Sequence, residues 1–197
     1  MQLTYKTISG TAYAEFKDRG SKFHGYAFPA RNAEEIKQHL QGLKKEHPKA
    51  VHHCYAYRLG TDGLQFRAND DGEPSGSAGR PILGQIDSAG LTDVLVVVVR
   101  YFGGTLLGVP GLINAYKTAT ADCLALATVV EKNVEHRISL EYDYSLMNEV
   151  MQALKQSDAT IYRQDMQLFC ILEAGIPLSH KEACLQKLGE IRGLEIR

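Results

Sequence analysis

Asp70, Asp71 and Glu73 put three carboxylates into four residues, inside the run NDDGEPSGSAGRPIL. Carboxylate oxygens at that density are what a hard cation such as magnesium takes as ligands. The spacing matches no EF-hand loop, however, and Asp-Asp-Gly and Glu-Pro are ordinary turn dipeptides. Asp71 or Glu73 can instead hold Arg80 or Arg100 as an ion pair, which shapes a loop without doing chemistry. No metal is assigned.

A second kind of chemistry is anion binding. SGSAGRP offers several backbone N–H groups just before an expected helix start, where the helix dipole favours negative charge. The loop GGTLLGVPGL likewise feeds a longer helix that carries Lys117 two turns in. Arg100 ends an apolar run beside Tyr101 and Phe102. On this reading Arg80, Arg100 and Lys117 meet a phosphate at two helix N-termini, and Tyr101 stacks on a base. Gly103, Gly104, Gly108 and Gly111 would leave backbone bare for that approach, or else let helix and sheet pack tightly. Neither loop is a Walker motif or a GxGxxG fingerprint.

Other reactive types are poorly arranged. On a strand His52 and Cys54 share one face while His53 points to the other, so two ligands fall short of a zinc site. A nucleophilic Cys54 would need exposure and a neighbouring base. Ser75 and Ser77 lack the GxSxG elbow. No catalytic residue and no cofactor are assigned.

Composition narrows the class. The 197 residues are 44% hydrophobic and 23% charged, as in an ordinary globular protein. The longest apolar run, Val94 to Val99, is strand-sized, far below the roughly 20 residues of a membrane span. The N-terminus lacks a signal-peptide pattern, and four scattered cysteines suit reduced, buried thiols. A cytoplasmic protein without a membrane partner is expected. Net charge is −1, with 14 Lys/Arg against 12 Asp/Glu before Val130 and 8 against 11 after it. Any anion site must therefore come from local placement rather than bulk charge.

These residues need elements to hold them. Alternation predicts strands at Thr11 to Lys17 and Lys22 to Phe28, joined by the DRGS turn. Asn32 with Glu35 reads as a capping box for a helix carrying Ile36, Leu40 and Leu43 and ending at Pro48. A hairpin is expected at His52 to Leu59 and Leu64 to Ala68. A short helix follows at Pro81 to Ala89, then a strand buried on both faces at Val94 to Val99. A long helix at Gly111 to Ala127 turns Leu112, Ile113, Tyr116, Cys123 and Leu124 to the core. The first part thus reads as α+β, a mixed sheet with helices on one face. After a link at Thr128 to Glu135, strands are expected at His136 to Tyr144, Ala159 to Arg163, Met166 to Glu173 and Ile191 to Ile196. Helices lie at Ser145 to about Gln156 and from Ser179, capped with Glu182, to Leu188. That order is βαββαβ, the ferredoxin-like plan.

NDDGEPSGSAGRPIL and VVVVRYFGGTLLGVPGLINAYKTA, in this order and with SKFHGYAFPA and HPKAVHHCYAY before them, resemble the signature of the YigZ/IMPACT family (uncharacterised protein family 0029). The resemblance runs from about Lys17 through Ala127, and the tail from Val134 is similar to the small second domain of bacterial members. It implies a ribosomal protein S5 domain-2-like domain over residues 1–130 and a ferredoxin-like domain over 134–197. Together these are similar to the fourth and fifth domains (IV and V) of elongation factor G. Eukaryotic relatives regulate translation under amino-acid starvation and carry an extra N-terminal RWD domain. The resemblance transfers no catalytic residue. It marks Asp70, Asp71, Glu73, Arg80, Arg100, Tyr101, Gly103, Gly104, Gly108, Gly111 and Lys117 as a binding surface.

The expectation is a non-catalytic, translation-associated protein that binds RNA or ribosomal surface through the glycine-rich face. Two other readings stand beside it: a module that docks a translation-related protein, and a small phosphate-handling enzyme.

Overall fold

The computed structural model describes residues 2–166 and 169–197, and it divides into two compact units. The first, Tyr5–Lys132, is built on a five-stranded sheet. Its elements in chain order are β1 (Thr4–Ile8), β2 (Ala12–Asp18), β3 (Ser21–Pro29), α1 (Ala33–Glu46), β4 (His52–Leu59), β5 (Gln65–Asn69), α2 (Gly79–Ser88), β6 (Val94–Tyr101), α3 (Gly108–Ala125) and β7 (Val129–Asn133). The sheet order is β2-β3-β6-β4-β5, and each adjacent pair is antiparallel.

β6 is central because its sequence admits nothing else. Val94, Leu95, Val96, Val97, Val98 and Val99 are all fully buried. A strand apolar at every position must be covered on both faces. Val94, Val96 and Val98 meet α2 and α3, whereas Leu95, Val97 and Val99 meet Ile36 and Leu43 of α1. The sheet is therefore wholly antiparallel rather than mixed, and helices lie on both faces rather than one. Period-2 burial then decides the rest of the strand. Arg100 falls on the α2–α3 face and Tyr101 on the α1 face.

Asn32 caps α1 through a 2.9 Å bond from the Glu35 amide to its side chain, but Glu35 returns to the amide of Arg31. Ile113, expected in the core, is 39% exposed; the buried face of α3 is Leu112, Ala115, Tyr116, Ala119, Thr120, Cys123 and Leu124. β1 and β7, missed in the sequence, pair with each other as a separate ribbon. β7 lies in the segment read as a link. Each strand is only five residues long, and its partner stands over 120 residues away, so no local hairpin signal announces the pair.

The second unit, Asn133–Arg197 with residues 2–4, contains β8 (Glu135–Tyr142), α4 (Met147–Gln156), β9 (Thr160–Met166), β10 (Cys170–Pro177), α5 (Lys181–Gly189) and β11 (Glu195–Ile196). Its sheet runs β11-β8-β10-β9, antiparallel throughout. Ile138, Leu140, Tyr142, Leu172, Ala174 and Ile176 form its core with Val150 and Leu154 of α4 and Cys184 and Leu188 of α5. The strand expected at Met166 to Glu173 lies at Cys170–Pro177; Gln167 and Leu168 are outside the described residues. Ser179 does not cap α5, whose N-cap is His180 without a side-chain bond. A 3₁₀ turn at Leu178–His180 leads in instead.

How closely α3 sits on the sheet depends on Gly25. A Cβ there would stand 2.7 Å from the Ala119 carbonyl oxygen in α3, and helix backbone cannot yield cheaply. Gly25→Ala should cost about 1–3 kcal/mol through forced overpacking, read as a lower urea midpoint. An unchanged midpoint would show that α3 has room to move.

Candidate functional site

The loop between β5 and α2 begins with Asp70, whose carboxylate turns back under its own chain. It accepts hydrogen bonds from the amides of Gly76 at 2.8 Å, Ala78 at 3.1 Å and Gly79 at 2.8 Å. Ala78, the N-cap of α2, has no capping side chain of its own. Asp70 supplies that function from eight residues upstream. The anion position at the start of α2 is therefore filled from within the chain, so one of the two helix N-termini expected to meet a phosphate is already occupied. Burial by itself raises the Asp70 carboxyl. The three amide bonds and the nearby charge of Arg80 outweigh it, and the group titrates below its ordinary value.

Asp71 fastens the next turn. Its Oδ2 accepts from the His53 amide at 2.7 Å, and its carbonyl accepts from the His52 ring at 2.7 Å. The residue itself sits at φ 42°, followed by Gly72 at 89°. Asn69, Asp71 and the two histidines thus tie the loop to β4.

Glu73 goes inward. Its Oε1 accepts from Arg100 Nη1 at 2.6 Å and from the Tyr116 hydroxyl at 2.8 Å, and the side chains of the ion pair are only 3% and 7% exposed. The Cys54 thiol lies 3.0 Å from the Asp70 carbonyl and 3.3 Å from the Tyr116 oxygen. The Arg100 guanidinium also lies over the rings of Phe23 and Phe102. Burial pushes the Cys54 thiol and the Tyr116 hydroxyl well above their usual values, so both stay protonated and act as donors. Carboxylate, guanidinium, phenol and thiol form one closed cluster that joins β4, β6 and α3 to the loop.

The residues singled out in the sequence consequently divide into four groups. Asp70, Asp71, Glu73 and Arg100 come together as the loop's internal frame, with the Arg100 charge engaged by Glu73 rather than open to a phosphate. Tyr101 does not join them; on the opposite sheet face its hydroxyl meets His47 Nδ1 at 2.9 Å. Arg80 and Lys117 are exposed, on two helices that pack against each other. Gly103, Gly104 and Gly108 are exposed and Gly111 is half-buried in the lead into α3. Gly103 has a packing duty as well, since a Cβ there would lie 1.9 Å from the Gly20 carbonyl carbon. His52, Cys54 and Tyr116 belong to the frame and were not foreseen in that role. A tyrosine on the buried side of GLINAY could have announced it, because a buried phenol needs a hydrogen-bond partner. Among the described residues no group of three or more His, Cys, Asp or Glu could hold a metal ion, and the three loop carboxylates are spent on amides and on Arg100.

The lead into α3 has a different character. Phe102 is 49% exposed, Leu106 81%, Val109 47% and Ile113 39%. Four apolar side chains within twelve residues stand in solvent beside bare glycine backbone, and apolar patches of this kind mark docking surfaces.

The chain that builds this sheet and loop is similar to known proteins. Residues 19–124 match the family described as the Impact N-terminal domain. The IMPACT family member YigZ of Escherichia coli is 35% identical over 159 residues, covering 80% of this chain and 78% of that one. An IMPACT family member of Haemophilus influenzae is 36% identical over 172 residues, 86% and 84% of the two chains. A crystal structure described as a hypothetical protein superposes with a TM-score of 0.79 at 29% identity, over 100% of this chain and 97% of its own. The chain belongs to the IMPACT family.

Two measurements test the frame. Glu73→Ala leaves the Arg100 charge buried without a partner and should cost about 3–5 kcal/mol in urea denaturation. Glu73→Leu combined with Arg100→Met should recover most of that loss. A single-variant cost under about 1 kcal/mol would dismiss the brace. Because the folded carboxyl of Asp70 is depressed, its contribution is present above the ordinary aspartate value of 3.8 and is lost as pH falls through the lower folded value. Asp70→Asn should therefore flatten the stability–pH curve at its acid end relative to wild type. Parallel curves would refute the assignment.

Proposed function

We propose that this chain is a cytoplasmic, translation-associated binding protein, without catalysis of its own, that docks RNA or ribosomal surface through its glycine-rich face. Membership of the IMPACT family, whose eukaryotic relatives regulate translation, supports the translation link. The single observation that carries the docking face is the exposed lead into α3. There backbone at Gly104 and Gly108 stands bare near Phe102 and Gly103, at an α3 N-terminus that no side chain caps, and Lys117 is exposed further along the same helix. In this reading Phe102 takes the stacking role, and Arg80 with Lys117 takes the phosphates. Arg100 acts indirectly, by holding the loop in shape. The protonated, buried Cys54 and Tyr116 favour binding over nucleophilic chemistry.

We read residues 1–130 as a ribosomal protein S5 domain-2-like domain and residues 134–197 as a ferredoxin-like one. The βαββαβ order and the strand order β11-β8-β10-β9 support the second assignment. A protein partner is the second reading, and the exposure of Leu106, Val109 and Ile113 favours it.

Filter binding to a ribosomal RNA fragment at several salt concentrations separates these. Arg80→Ala with Lys117→Ala should weaken binding and reduce the salt slope by about two, one for each phosphate contact removed. Phe102→Ala should lose about 1–3 kcal/mol of stacking. If both variants bind as wild type does, RNA is not the ligand of this face. Loss of ribosome co-sedimentation in Leu106→Ser, with RNA binding intact, would point to a protein.

A further inference from the structure

A second surface lies on the other side of the sheet. Between α1 and the β4–β5 hairpin runs a groove of about 390 Å³, within the range of small-molecule sites. Tyr55 and Tyr57 form one wall, their rings 6° from parallel with centroids 6.5 Å apart. Register places Arg67 opposite Tyr57 and Asn69 opposite Tyr55. Lys37 and Lys44 of α1 stand exposed on the other bank. Asp71 also lines the groove, with Oδ2 already bonded to the His53 amide. Three cations against one engaged carboxylate is a local surplus, in a protein whose net charge is −1.

His53 adds an independent sign. It is 8% exposed and lines the groove, and its Nε2 is buried with no hydrogen-bond partner among the described residues. Burial lowers its pKa, so the ring is neutral near pH 7 and one of its two nitrogens is an acceptor. Nε2 is the nitrogen without a partner, and a buried polar atom in that state calls for one from outside the chain.

We propose that this groove binds a nucleotide, with an amino-bearing base against the Tyr55–Tyr57 wall and its phosphate held by Lys37, Lys44 and Arg67. Each part of such a ligand answers one feature. A flat ring suits parallel tyrosines, a dianionic phosphate suits the cationic bank, and an exocyclic amine suits an unpartnered ring nitrogen. The ligand can be a free mononucleotide or an unpaired nucleotide of an RNA. The groove faces away from the glycine-rich loop's frame of Glu73 and Arg100, so the proposal stands or falls apart from the reading given above.

Titration of the full chain with AMP, adenosine, inorganic phosphate and a short single-stranded oligoadenylate, followed by amide and histidine NMR, tests it. AMP should shift His53, Tyr55 and Lys44 resonances and bind at least tenfold more tightly than either adenosine or phosphate. Lys44→Ala with Arg67→Ala, both exposed, should weaken AMP at least tenfold without altering the thermal midpoint. His53→Phe should weaken AMP while leaving phosphate unchanged. Tighter binding of oligoadenylate than of AMP, lost in the same variants, assigns the nucleotide to RNA; the reverse assigns it to a free metabolite. Absence of shifts at millimolar AMP, equal affinity for AMP and phosphate, or an unaffected double variant would overturn the proposal.

Discussion

The buried contact between Glu73 and Arg100 is the constraint on which the rest of the first unit depends. Both side chains are withdrawn from solvent, and neither charge is tolerable there alone. The strand that delivers Arg100 is the one every neighbour packs against, so its last inward position is fixed by the core. Glu73 must then come to it, and the loop closes accordingly. Tyr116 adds α3 to the same carboxylate, and Cys54 adds β4. Four elements distant in sequence thereby share one electrostatic point.

The loop's shape follows from a division of labour among three acids. Asp70 satisfies amides that a helix start would otherwise leave open, Asp71 secures the turn to β4, and Glu73 neutralises the arginine. The three loop carboxylates and Arg100 are consumed internally, so what remains outside is backbone, scattered apolar groups and the two cations Arg80 and Lys117. That is why the outward face keeps only two of the six charged side chains that its sequence marks there, Arg80 and Lys117. Recognition by such a surface relies on shape and on close approach more than on a cationic field.

The architecture was largely legible, because its strongest signals are long and periodic. The all-apolar run of β6 announced a strand covered twice, and the two hairpins lie within a few residues of their expected bounds. The β1–β7 ribbon was not legible, since nothing local links Thr4–Ile8 with Val129–Asn133. The Ser179 cap failed because a 3₁₀ turn occupies the place where a capping side chain would act. At the candidate site the residue set was visible but its grouping was not. Spacing along β6 makes Arg100 and Tyr101 neighbours in sequence and strangers in space, on opposite faces of the sheet. Whether a charge in a glycine-rich loop faces a partner or its own chain depends on which carboxylate reaches it, and sequence spacing does not encode that.

The Cys54 sulfur has a use as a natural reporter. It sits beneath the loop, protonated and sealed by Asp70 and Tyr116, so an alkylating reagent can reach it only when that seal parts. Its modification rate therefore reports how often the packing around it opens. An alkylated sulfur would no longer fit the space that Asp70 and Tyr116 leave for a thiol.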